Sequence, residues 1–182
     1  MGVFKWANAG VDKLKLCEEP QNQEYRYLLE YQGDKPIVCF GVNPSVASKE
    51  IADKTLRNIA TISKQNGYDG WIMFNVSSQR STDPNGMSQK EEMEKHKENL
   101  KNIEERISKM REVNVWLGFG GLIESRPYLK EYLTEIYKIF EKNGKTEWWC
   151  AGTTKKGHPK HPSRLANKTK LERFKMQEYM EK

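Results

Sequence analysis

Ile37-Val-Cys-Phe-Gly-Val42, halted by Asn43-Pro44-Ser45, is too short for a stable helix and rich in strand formers, so it reads as a buried strand ending in a turn. Trp71-Ile-Met-Phe-Asn-Val76 repeats the pattern, and Val113-Asn-Val-Trp-Leu-Gly118 and Glu147-Trp-Trp-Cys-Ala151 extend it to four such strands. Helical spacing fills the intervals. Asp53 can cap a helix whose apolar positions are Leu56, Ile59, Ala60 and Ile62, with Gly67 as its stop. Ser88-Gln-Lys-Glu91 has the form of a capping box before a charged helix with Met93, Leu100, Ile103, Ile107 and Met110 inward. Pro127 to Lys142 places Leu129, Leu133, Ile136 and Phe140 on one side and is closed by Gly144. Alternation of this kind implies crossover connections. The expected fold class is α/β, a three-layer α/β/α sandwich around a mainly parallel four-stranded central sheet.

The 182 residues amount to one domain. Its parts are an N-terminal ribbon over 1–35 that includes the strand Tyr25–Tyr31, a core over 36–165, and a basic C-terminal helix over 166–182. No apolar run approaches the roughly 18 residues of a membrane span, and Met1 to Gly10 holds no stretch of signal-peptide length. A soluble, cytoplasmic protein is expected, with no membrane among its partners. Cys17, Cys39 and Cys150 are odd in number and lack a C-x-x-C pair, which favours free thiols over disulfides or a zinc cluster. Gly118-Phe-Gly-Gly121 lacks the spacing of a phosphate-binding loop and no G-K-[ST] occurs, so nucleoside triphosphate hydrolysis is disfavoured.

The net charge of +6 sits in one place: residues 151–182 carry nine Lys or Arg against three acids. Such a segment attracts phosphates by Coulomb forces and counterion release, which makes nucleic acid, DNA in particular, or a nucleobase-containing ligand the expected partner.

Ligands of open α/β sheets bind beyond the carboxyl ends of the strands. The chemically loaded loops fall there: Asn43-Pro44-Ser45, Asn75 through Arg80-Ser-Thr-Asp83-Pro84, Gly118-Phe-Gly-Gly121, and His158-Pro-Lys-His161-Pro162-Ser163. Asn43, Asn75 and His161 are expected around one shared hollow.

These segments carry two resemblances. Gly41-Val-Asn43-Pro44-Ser45, Asp53-Lys-Thr55-Leu-Arg57, Asn75 with Arg80-Ser-Thr82-Asp83-Pro84, and Lys156-Gly157-His158-Pro159-Lys160-His161-Pro162 resemble, in order, a family of small bacterial and phage proteins known only as a domain of unknown function, from about Arg26 to Leu165. More distantly, the chain looks like the uracil-DNA glycosylase superfamily. Gly41-Val-Asn43-Pro44-Ser45 is similar to the G-I-N-P-G motif of its mismatch-specific branch, Ile72-Met-Phe-Asn75 to its L-L-L-N strand end, and His161-Pro162-Ser163-Arg164-Leu165 to its H-P-S-P-L motif at four of five positions.

The second resemblance implies a uracil-DNA glycosylase-like fold and hydrolysis of the N-glycosidic bond of a modified or damaged nucleobase in DNA, with no metal or organic cofactor. It casts Asn43 as holder of the attacking water, His161 as donor to the departing base, and Asn75 as reader of its edge. Ser45 and Ser163 would complete the substrate site, Leu165 would fill the gap left in the duplex, and Lys155, Lys156 and Arg164 would take phosphates; Arg80, whose motif belongs to the first resemblance and not to the glycosylases, is placed with the substrate residues as well. An amide cannot accept a proton at neutral pH, so Asn43 is no general base; Asp53 or Asp83 would have to supply a carboxylate, and Asp83 is placed with the catalytic residues.

Two further classes stay open. One is a nucleobase or nucleic-acid binding protein without chemistry. The other is a hydrolase using Ser45, His161 and Asp83 as nucleophile, base and orienter, although no G-x-S-x-G elbow is present. Blander structural roles are expected elsewhere: an Arg80–Asp83 ion pair with Thr82 tying the turn, His96 solvated among Lys and Glu, and Trp148 and Trp149 in the core. His158, in a Pro- and Lys-rich loop, is not expected to be buried.

Overall fold

The computed structural model describes residues 4–5, 14–18, 23–45 and 51–182. Its strands are β1 (Phe4–Lys5), β2 (Leu14–Glu18), β3 (Arg26–Tyr31), β4 (Pro36–Gly41), β5 (Ile51–Ala52), β6 (Gly70–Asn75), β7 (Val113–Leu117), β8 (Thr146–Cys150) and β9 (Glu172–Arg173). Its helices are α1 (Lys54–Gln65), α2 (Met93–Ile107), α3 (Tyr128–Asn143) and α4 (Met176–Met180).

The four apolar runs become β6, β4, β7 and β8, neighbours in that order and parallel throughout. Their side chains alternate between two faces, as strand geometry requires. Val38, Phe40, Ile72, Phe74, Val115 and Leu117 meet Ile103 and Ile107 of α2 and Leu133, Ile136 and Phe140 of α3. Ile37, Cys39, Trp71, Met73 and Trp116 meet Leu56, Ile59 and Ile62 of α1 on the opposite face. Helices therefore cover both sides, which explains why the strands are apolar at almost every position instead of at every second one.

The sheet is wider and more mixed than the four strands expected. Among the described residues it has seven, in the order β2-β3-β6-β4-β7-β8-β9, with antiparallel pairing toward both ends: β2 on β3, β3 on β6, and β9 on β8. The segment expected to form a separate N-terminal ribbon thus continues the main sheet through β3. A small second sheet pairs β1 with β5.

Two helix starts differ in outcome. Asp53 caps α1 as expected, its carboxylate accepting from the Leu56 N–H at 2.9 Å. The Ser88–Glu91 capping box does not form, since α2 begins at Met93 and its N-cap, Glu92, makes no side-chain cap bond. Ser88 is occupied otherwise: its carbonyl accepts from Arg126 Nε (3.1 Å) and Tyr128 Oη (2.8 Å), which ties the loop to the start of α3. Met93, expected inward, is 40% exposed. At the far end, α3 stops at Gly144, whose φ of 71° is left-handed.

The segment 166–182, expected as one basic helix, is not a continuous helix. Only Met176–Met180 is helical, and β9 occupies part of the rest. Tertiary partners decide this: Phe174 N–H donates to the Trp148 carbonyl (2.9 Å), drawing the chain along the sheet edge, and Tyr179 packs against Phe119 and Phe174.

His96 is likewise buried and not solvated. Its ring stacks on Tyr132 at 3.5 Å, and its Nε2 lies 3.0 Å from Glu135 across the α2–α3 contact. Burial lowers its pKa and the Glu135 carboxylate opposes that shift. Cys39 and Cys150 are free and buried, and burial raises both thiols, Cys150 to about 11; the Cys17 side chain lies outside the described residues. Among the described residues, no helix is long and apolar enough to cross a membrane.

Candidate functional site

A cleft of about 150 Å³ opens at the carboxyl ends of the parallel strands, where open α/β sheets take their ligands. Asn43 and Ser45 from the loop after β4, Asn75 from the end of β6 and His161 from the loop after β8 all line it. Trp71 and Phe119 lie in the two cores and leave it open.

The loops after β4 and β6 are stitched together by backbone. Ser77 N–H donates to the Val42 carbonyl (2.8 Å) and Ser81 N–H to that of Pro44 (2.9 Å). Asn43 joins the stitch: its Nδ2 donates to the carbonyls of Ser81 (2.8 Å) and Pro44 (3.1 Å). With both amide protons directed at backbone, Asn43 offers the cleft its Oδ1, an acceptor.

Asn75 is 1% exposed, and its Oδ1 is buried without a hydrogen-bond partner among the described residues. An unmet buried acceptor at a cleft wall costs stability on its own account and asks for a donor from a ligand. Space for the amide comes from Gly41, its register partner on β4, where an added Cβ would stand 2.8 Å from Asn75 Oδ1. Below it, the fully buried Asn99 of α2 donates Nδ2 to the Asn75 carbonyl at 3.0 Å and the Val76 carbonyl at 3.4 Å, fixing the strand end.

His161 opens the 3-10 turn Pro162–Arg164. Its Nδ1 accepts from the Ser163 N–H (3.3 Å) and is 2.8 Å from Ser163 Oγ. An Nδ1 engaged as acceptor leaves the neutral ring with its proton on Nε2, a donor. Burial holds the ring below the ordinary histidine pKa, while Asp53 pulls the other way and the Arg164 cation adds to the lowering. At neutral pH the ring is therefore an uncharged N–H donor. Its turn is clamped from α1, where Asn58 Nδ2 donates to the carbonyls of Pro162 (2.7 Å) and Leu165 (3.1 Å). The Gly118-Phe-Gly-Gly121 loop supports it from the other side: Gly120 N–H donates to the Pro159 carbonyl (2.9 Å), and a Cβ at Gly118 would strike the Pro162 ring at 2.8 Å.

The carboxylate of the cleft is that of Asp53, not Asp83. Ser45 Oγ donates to Asp53 Oδ2, and both residues line the hollow. Asp83, placed with the catalytic residues and in the Ser45–His161–Asp83 arrangement on sequence grounds, is exposed, caps its own turn by accepting from the Asn85 N–H at 2.9 Å and is not among the residues lining the hollow. The reason is topological: a crossover helix begins at the edge where the preceding strand ends, so the N-cap of α1 arrives at the rim.

Arg80 is half-buried, donates its N–H to the Glu24 carbonyl (2.7 Å) and is not part of the cleft lining. Ser163 acts on His161 and does not line the hollow. Lys155 and Arg164 are exposed, but Lys156 is paired with Glu124 at 2.6 Å. Leu165, cast as a wedge by the resemblance, is half-buried and packs against the core cluster beneath α1. His158, contrary to expectation, is buried, with Nδ1 2.7 Å from Tyr179 Oη and Nε2 3.2 Å from Glu124.

Arg26, Gly41, Thr55, Leu56, Met73, Ser81, Thr82 and Leu122 complete the lining. Leu56, Met73 and Leu122 are its apolar side chains, and no aromatic side chain is among the lining residues. Thr55 and Thr82 were visible in their motifs, whereas Arg26, on a strand read as part of a ribbon, carried no signal. Among the described residues no group of three His, Cys, Asp or Glu could hold a metal ion.

A family model described as protein of unknown function (DUF1643) matches residues 26–163, a span that contains every polar residue of the cleft. No curated protein and no solved structure matches the chain.

Proposed function

We propose that this chain, which belongs to the DUF1643 family, is a glycosylase-like enzyme that hydrolyses the N-glycosidic bond of a modified or damaged nucleobase in DNA. The observation that carries the reading is the buried Asn75 Oδ1, without a partner among the described residues, in the wall of the same hollow that Asn43 and the neutral His161 ring line. Four neighbouring parallel strands with helices on both faces support the uracil-DNA glycosylase-like sandwich that the motifs imply.

Cleavage of a base–sugar bond builds cationic character on the sugar and negative charge on the base. His161 Nε2–H meets that negative charge as a preorganised donor, and Asn75 reads an extruded base with one donor and one acceptor. Asn43 Oδ1 orients the water. The exposed Lys155 and Arg164 flank the His161 loop and contact phosphates.

Labelled oligonucleotides carrying a panel of modified bases, incubated with the protein and then treated with alkali, test the reading. Strand scission at one or more of those bases, lost in His161→Ala and in Asn75→Ala, is expected. No scission across the panel overturns it for those substrates. The amide at Asn43, which cannot take a proton, favours one other reading: nucleobase binding without chemistry. Salt-sensitive, base-dependent binding with no scission would identify that case.

A further inference from the structure

We propose that Asp53 is the general base of the cleft and that Ser45 relays the proton to it, an inference that rests on the glycosidic reading above. Asp53 is the only carboxylate among the described residues lining the hollow. Its two oxygens have separate duties: Oδ1 accepts the Leu56 N–H at 2.9 Å, and Oδ2 accepts the Ser45 hydroxyl. The single proton of Ser45 is thereby committed to Asp53, so Ser45 Oγ turns lone pairs toward the cleft that it lines. A water held there by Asn43 Oδ1 finds in Ser45 Oγ an acceptor backed by an anion.

The other candidates for this role fail on chemistry. Asn43 cannot accept a proton, and both of its amide hydrogens are bonded to backbone carbonyls. His161 has its Nδ1 engaged by Ser163, which puts the ring proton on the remaining nitrogen and makes it a donor. Asp83 is turned away in its own cap. Asp53 also acts on His161 directly, through the Coulomb attraction that raises the ring's pKa against burial.

The step balances with water as the only co-reactant. The bond from the anomeric carbon to the base nitrogen breaks, and its electron pair leaves with the base. The water oxygen bonds to the anomeric carbon. One water proton passes to Ser45 Oγ as the hydroxyl proton of Ser45 passes to Asp53 Oδ2. The departing base, hydrogen-bonded by His161, takes a proton from solvent, and Asp53 returns one to solvent. The carboxylate also faces the sugar as positive charge develops on it.

Asp53→Asn is the informative variant, because asparagine caps a helix about as well as aspartate and the fold is retained. Two duplexes serve as probes, one with a cationic pyrrolidine and one with a neutral tetrahydrofuran in place of the target sugar. The wild-type chain is expected to bind the pyrrolidine duplex about tenfold more tightly or better, as a nearby anion should. Asp53→Asn should bind both alike, and Ser45→Ala, which keeps the carboxylate, should retain the preference. Turnover on a cleavable substrate should fall about a hundredfold or more in Asp53→Asn with little change in KM, and by less in Ser45→Ala. Equal binding of both duplexes by the wild type, or a preference that survives in Asp53→Asn, overturns the role of Asp53 and leaves the glycosidic reading standing. Binding of neither duplex overturns both.

Discussion

Gly41 and Asn75 face one another in the parallel pairing of β4 with β6, and the absent side chain of the first makes the space that the amide of the second fills. A Cβ at Gly41 would stand 2.8 Å from Asn75 Oδ1 and 2.9 Å from Met73 Cε. Gly41→Ala should therefore push the amide out of register with Asn43 and His161 at a cost of about 1–3 kcal/mol. Thermal unfolding measures that cost and base-dependent binding measures the displacement. Binding equal to wild type would show that the amide has room to spare.

Asn99 tests how the strand end is held. With the residue 0% exposed and its Nδ2 on the Asn75 and Val76 carbonyls, Asn99→Leu removes donors from buried acceptors and should cost about 1–3 kcal/mol. A denaturant midpoint unchanged from wild type would contradict this.

Protonation of the buried His96 and the half-buried His161 sets an acid limit. Burial depresses the pKa of both His161 and His96 below the ordinary value of 6.5, so the folded state favours the neutral ring more than the unfolded chain does. Their contribution to stability is present above pH 6.5 and is lost as pH falls through the depressed folded values. Unfolding free energies between pH 7.5 and pH 5 should fall less steeply in His161→Gln than in wild type. Because Asp53 opposes the depression, the His161 pKa read by NMR should drop further in Asp53→Asn. A rise would place the carboxylate elsewhere.

Leu165 separates packing from wedging. It lies against the cluster beneath α1, so Leu165→Ala should lower stability by about 1–2 kcal/mol and leave oligonucleotide binding at matched folded fraction unchanged. Weaker duplex binding with an unaltered Tm would restore the wedge.

The exposed cations predict an ionic signature. Lys155→Ala and Arg164→Ala should each reduce the slope of log K against log salt by about one, and Lys156→Ala, already paired with Glu124, by less. Slopes equal to wild type in all three would remove the tail from the nucleic-acid surface.

Much of this was legible in the sequence because strand burial on both faces writes itself as continuous apolar runs, and Asn43, Ser45, Asn75 and His161 sit where those runs or their loops turn. The hidden part depends on partners distant in sequence. His96 looks solvated until Tyr132 is laid on its ring, and His158 until Tyr179 reaches it. β9 is two residues long and is a strand only because β8 offers it an edge. Asp53 is legible as a helix cap, whereas Asp83 reads as a turn residue paired with Arg80; in the fold both cap, one a crossover helix at the rim and the other a short exposed turn.

The most direct test of the account is an NMR titration of ¹⁵N-labelled protein with an oligonucleotide bearing a non-hydrolysable 2′-fluoro analogue of a nucleotide cleaved in the scission panel, following the Asn75 side-chain amide and the His161 ring nitrogens. Both sets of resonances are expected to shift together, saturating at one ligand equivalent, with the His161 shift abolished in Asn75→Ala. Shifts confined to the tail lysines, with Asn75 and His161 unmoved, would contradict the claim that this cleft receives the base.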